Sequence, residues 1–120
     1  MKATKKQFIT LLSMTMEDME ADVEDLMKHC EAQKEQHEIS EYVFRENMTV
    51  YENLRAGIRC MRKLLEEIDL DSHAEIEDLI TALEANCRDH LAEGGYAPGL
   101  ASTLKRKMER IVQYMREQLG

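Results

Sequence analysis

Residues 9–30, ITLLSMTMEDMEADVEDLMKHC, decide how this chain folds. Ile9, Leu12, Met16, Met19, Val23, Leu26 and Cys30 follow one another at alternating steps of three and four. Only an α-helix gathers such positions onto one seam. A seam of that length must be covered by other helices. A first helix is therefore predicted from about Thr4 to His37, its seam turning polar where it reaches Gln33 and His37.

Working outward, three more segments carry helical stripes. The second, about Ser40 to Asp69, holds Val43, Asn47, Val50, Leu54, Gly57, Met61, Leu64 and Ile68 on one stripe. A neighbouring stripe holds Phe44, Met48, Tyr51, Ile58 and Leu65, and the two together make an apolar face wide enough for two partners. Gly57 lies in that seam at a cost of up to ~1 kcal/mol relative to alanine, which predicts a close approach of another backbone. Ser72 reads as the N-cap of the third helix with Glu75 at its third position. That helix carries Ile76, Ile80, Leu83 and Cys87, flanked by Leu79 and Leu91, and Gly94-Gly95 ends it. Pro98 falls where a first-turn proline is tolerated. The fourth helix carries Ala101, Leu104, Met108, Ile111 and Met115, flanked by Leu100, Val112 and Leu119.

The break between the first two helices has the least sequence support. Residues 30–45 contain neither glycine nor proline, and Val43 occupies the place of a capping-box glutamate after Ser40. The alternative is one helix of some 65 residues paired with another chain. With the break in place, short connections make sequential helices antiparallel. The expected fold is an all-α, up-down-up-down four-helix bundle, a single domain over residues 1–120, with a longer first hairpin.

Composition agrees. The 120 residues are 43% hydrophobic and 33% charged, with one proline, five glycines and no tryptophan. This is too apolar for disorder and leaves room for little besides long helices. The net charge of −8 disfavours nucleic acid and anionic membranes. Charge is uneven along the chain. Residues 17–41 are strongly acidic, whereas the last segment holds Lys105, Arg106, Lys107, Arg110 and Arg116. The first and last helices are expected to lie side by side and complement each other. A basic partner for the acidic face is the alternative. Three cysteines, Cys30, Cys60 and Cys87, do not make a paired disulfide framework, so reduced thiols and a cytoplasmic setting are expected. Lys2, Lys5 and Lys6 precede the short apolar run Phe8–Met14, but acids follow at once, and no secretory signal is expected.

No cofactor or metal is expected either. Cys87-x-x-His90 sits on one face, but Cys30 is about 10 Å away along the bundle by helix rise, so a zinc set does not close. No glutamate stands three residues before any histidine, which removes a di-iron carboxylate site. Glu17, Glu20 and Glu24, and Glu66, Glu67 and Asp69, read as solvated acidic faces rather than Mg²⁺ ligands. No nucleophile set assembles. The histidines lack the context of a phosphotransfer site, and core methionines read as gap fillers.

The helix lengths carry the functional expectation. The second helix exceeds the third by about nine residues, so the first hairpin should overhang the rest by roughly 13 Å. Ile39, Tyr42, Val43, Phe44 and Met48 lie on that tip and form the candidate partner-binding set. The expected function is that of a non-enzymatic protein–protein interaction module, of the adaptor, regulator or chaperone kind, and a homodimer. The rival reading is a small metal-binding or Mg-dependent nucleotide-hydrolysing bundle.

Overall fold

The computed structural model describes residues 4–118. Lys2 and Leu119 lie outside the described residues. Four helices, α1 (Lys5–Glu35), α2 (Glu41–Glu67), α3 (Ile76–Glu93) and α4 (Gly99–Gln118), pack each on its sequence neighbour, and α1 packs on α4. The result is the up-down-up-down bundle.

Capping explains where the helices begin and end. Thr4 Oγ1 accepts the Gln7 N–H at 3.0 Å, and Gln7 Oε1 accepts the Thr4 N–H at 2.8 Å. This reciprocal pair satisfies two donors that the first turn of α1 would leave unpaired. At the other end, the Glu38 N–H reaches Gln33 O at 2.8 Å and the His37 N–H reaches Lys34 O at 3.1 Å. That pattern normally calls on glycine in the left-handed region. Here His37 takes the position, with φ 58°, and histidine is among the residues that enter it more readily. Ser40 Oγ then accepts the Val43 N–H at 3.1 Å and starts α2. The chain thus reverses without glycine or proline, and the single long helix does not form. Across this turn Lys34 lies 3.1 Å from the Glu41 carboxylate, and Arg45, one turn further along α2, lies 3.2 Å from it. The hydrogen bond from Lys34 is the main reason Glu41 sits below the usual carboxylate range.

The start of α3 differs from expectation. Ser72 is not its N-cap. Leu70–Ser72 form a single 3₁₀ turn, and the Ser72 hydroxyl donates back to the Asp69 carboxylate at 2.7 Å. That bond, with the Asp71 N–H at 3.0 Å, holds Asp69 below its ordinary pKa. The cap falls three residues later, where the Asp78 carboxylate accepts the Glu75 N–H at 3.3 Å. Lys5 Nζ, from the first turn of α1, donates to the carbonyls of Leu70 and His73 and ties this connection to the bundle foot. The serine is used up in the crossing turn, so the helix starts beyond it. At the far end Gly95 (φ 70°) takes the left-handed position, and the Tyr96 N–H closes on Leu91 O at 3.0 Å. Pro98 immediately precedes α4 rather than entering its first turn.

The core shifts slightly from the predicted stripes. Phe8, Leu12, Met16, Val23, Met27 and Cys30 are the buried residues of α1. Leu26, placed in the core by the heptad reading, is 45% exposed, and Met27 is buried instead. A straight helix drifts away from a strict seven-residue repeat, so a seam chosen by threes and fours slips sideways along 31 residues. In α3 the flanking Leu79 and Leu91 are fully buried, while Ile76 and Ile80 are only partly so. Leu100 replaces Ala101 in α4.

Gly57 is explained, though not by a backbone. A Cβ there would collide with Leu100 Cδ1 and stand 3.3 Å from Tyr96 Cβ. Beside it, Asn53 Oδ1 accepts the Ala97 N–H at 2.9 Å and Asn53 Nδ2 donates to Gly95 O at 3.3 Å. The α3–α4 connection is therefore seated on α2 at the level of Asn53 and Gly57.

The acidic face of α1 is complemented from a different side than expected. α1 and α4 are neighbours. Among the described residues, however, no ion pair joins them. The guanidinium groups come from α2. Arg59 lies 3.2 Å from Glu20 and 3.6 Å from Glu24, and Arg62 lies 3.3 Å from Glu20 and 3.8 Å from Glu17. These pairs also fix the register of the first hairpin.

Candidate functional site

The helices are unequal: 31 and 27 residues for α1 and α2, against 18 and 20 for α3 and α4. Their common foot is set by the Lys5 contacts, and the α3–α4 connection meets α2 at Asn53 and Gly57. Residues 41–52 of α2, about 18 Å of helix, therefore stand above the shorter pair. The described residues extend 54 × 31 × 19 Å with a radius of gyration of 16.9 Å. A compact chain of this length would have about 14 Å. The expected overhang is present.

What the overhang exposes follows from helical periodicity. On α2 the seam Val43–Asn47–Val50–Leu54–Gly57–Met61 is one continuous line. Gly57 and Met61 are buried, but Val50 is 55% exposed and Val43 40%. α1 does not repeat this pattern, since Leu26 is exposed but Met27 and Cys30, further along the helix, are buried. Counting from the Arg59–Glu20 and Arg62–Glu17 pairs, Leu26 stands near the level of Leu54, and Cys30 near Val50. The α2 seam that α3 and α4 cover lower down therefore emerges above them. Val43 and Val50 form an exposed apolar shelf on α2.

The five residues named from sequence divide on this geometry. Val43 lies on the shelf, and Tyr42, 72% exposed, stands near its rim. Ile39 is half-buried in the turn. Phe44 is half-buried, with the Lys34 ammonium 4.3 Å from the centre of its ring, and Met48 packs against the core. Phe44 and Met48 belong to the second stripe of α2, which faces α1 and is covered by it. Leu26 and Val50 were assigned to the core. For Val50 the signal was already in the helix lengths, since it stands above the level reached by α3, whereas Leu26 is turned outward by the sideways drift of the heptad line.

Among the described residues no three His, Cys, Asp or Glu side chains are arranged to hold a metal ion. Cys87 is buried, which pushes its thiol up to about 11, with nearby Cys60 adding to the effect. His90, one turn away, is exposed, and its Nδ1 lies 2.8 Å from Asn86 O. An open groove of about 590 Å³ between α2 and α3 is lined by Arg55, Lys63, Cys60, His90 and Tyr96 among others. Burial raises the Cys60 thiol there more than Lys63 lowers it, so no thiolate is stabilised. Glu17, Glu20 and Glu24 are engaged by Arg59 and Arg62. No described helix is long and apolar enough to cross a membrane. Comparison with protein-family models, with curated proteins and with solved structures finds no match to this chain.

Proposed function

We propose that this chain is a protein–protein interaction module whose shelf receives an amphipathic helix from a partner protein. The observation that carries this reading is the seam of α2, buried at Gly57 and Met61 and open to solvent at Val50 and Val43. A bundle whose apolar line continues past its covering helices offers the surface those helices would have filled. About 18 Å of shelf suits roughly three turns of helix laid along the upper seam of α2. Charge refines the partner. Residues 28–52 hold three cations, Lys28, Lys34 and Arg45, against six glutamates, Glu31, Glu35, Glu38, Glu41, Glu46 and Glu52. A helix with an apolar seam and basic flanks complements that rim.

The test uses two designed peptides with the same leucine seam, one flanked by lysine and arginine, the other by glutamate. Fluorescence anisotropy should show the basic-flanked helix binding at least ten-fold more tightly. Val50→Glu together with Val43→Glu should abolish that binding. Equal binding of the two peptides, or binding that survives the double substitution, would refute the proposal.

A further inference from the structure

The α1–α4 face, on the other side of α1 from α2, carries a second unpartnered surface. Met14 on α1 is 56% exposed and Tyr114 on α4 is 51% exposed. They border an open groove of about 440 Å³ whose floor includes Leu11, Met19 and Ile111. A second hollow of about 330 Å³ continues it past Leu11 and Tyr114 toward the start of α1. The groove is charged in an ordered way. Asp18 and Asp22 line its α1 edge, and Lys107 and Arg110 line its α4 edge. None of the four lies in an ion pair within 4.0 Å among the described residues.

An apolar strip between one acidic and one basic edge is complementary to itself. Consider a second copy facing the first, related by a two-fold axis parallel to the helices. Each α1 then lies over the other copy's α4 at the same height. Asp18 and Asp22 of each copy meet Lys107 and Arg110 of the other, and the Met14 and Tyr114 surfaces close on each other. The alternative axis, perpendicular to the helices, would set acid against acid. The dimensions are also adequate. α4 is 20 residues, about 30 Å, and two helices side by side are about 20 Å wide, so the face offers roughly 600 Å² in projection. That approaches the ~800 Å² per partner of a standard interface. We infer that a second copy of this chain docks on the α1–α4 face, with the two-fold axis parallel to the helices. This surface is separate from the shelf and does not depend on it.

The test is sedimentation equilibrium of the full chain, with charge reversals that can rescue one another. Wild type should sediment at twice the 14.0 kDa chain mass at micromolar concentration and dissociate more readily as salt rises. Asp18→Lys with Asp22→Lys should give monomers, and so should Lys107→Glu with Arg110→Glu. Mixed in equal amounts, the two variants should form a heterodimer, because one set of contacts is then reversed and the other native. Met14→Ser with Tyr114→Ser keeps every charge and replaces two side chains that are more than half exposed. It should retain the wild-type helical signal, and the wild-type melting temperature at dilutions where both proteins are monomeric, yet weaken dimerisation at least ten-fold. Val50→Glu should leave the dimer intact. A monomeric wild type, a dimer indifferent to these changes, a mixture that fails to pair, or a dimer broken by Val50→Glu would each overturn the inference.

Discussion

Val50 and Met61 stand on the same seam of α2, three turns apart, and the structure assigns them opposite energetic roles. Val50 is 55% exposed, whereas Met61 is fully buried. Truncating Val50 to alanine removes about two methylene equivalents, worth ~0.8 kcal/mol each when fully buried. Less than half of that applies here, about 0.7 kcal/mol in all. Alanine recovers about 0.5 kcal/mol through its better helix propensity. The net change expected for Val50→Ala is close to zero. Met61→Ala has no such relief. It opens a cavity among Ile58, Leu65 and the buried residues of the other helices, and substitutions of this kind cost 2–5 kcal/mol. In a domain of this size ~1 kcal/mol corresponds to about 4 °C of melting temperature. Thermal and urea denaturation followed by circular dichroism should thus show Val50→Ala within about 2 °C of wild type and Met61→Ala lower by 8 °C or more. A loss above about 1.5 kcal/mol at Val50, in protein at concentrations where it is monomeric, would mean that the upper seam is covered within the chain. The shelf would then not exist.

Three further outcomes follow from particular contacts. His37→Gly should stabilise the fold by up to about 1 kcal/mol in urea titrations, because glycine accepts the φ of 58° without a Cβ penalty, less its greater freedom when unfolded. Asn53→Ala should cost about 1–3 kcal/mol, since it leaves the Ala97 N–H and Gly95 carbonyl without their partner, whereas Thr49→Ala, one turn away with only an intrahelical bond, should cost less than 0.5 kcal/mol. Burial raises the Cys87 thiol to about 11, so folding favours its protonated form; that contribution is complete below the ordinary thiol range near 9 and is lost as pH rises toward 11. Melting temperature should fall over that window, and less steeply in Cys87→Ala.

Much of the fold was legible before any coordinates. Heptad spacing identified four helices, and their relative lengths predicted the overhang. Ser40 capped α2 as read, and Gly94-Gly95 ended α3. The misreadings share one source, which is that a residue's local pattern does not say what stands opposite it. Ser72 has the spacing of a cap, yet Lys5 and Asp69, on either side of the connection, draw it into a crossing turn. The acids of α1 and the bases of α4 suggested mutual pairing, but α2 supplies Arg59 and Arg62 at the right height. Phe44 and Met48 stand on the tip as read, but half-buried, because their stripe turns toward α1.

The candidate site divides in the same way. Periodicity alone determined that Val43 and Val50 share a line with Met61, because 3.6 residues per turn permits no other arrangement. Where along that line water begins is a different question. It depends on how high α3 and α4 reach, which is fixed by the Asn53 bonds to Gly95 and Ala97 and by Leu100 fitting against Gly57. Those contacts join residues more than forty positions apart, and burial is a property of the assembled neighbours rather than of the residue. Sequence therefore determined which faces are apolar, and tertiary structure decided which of them are left uncovered.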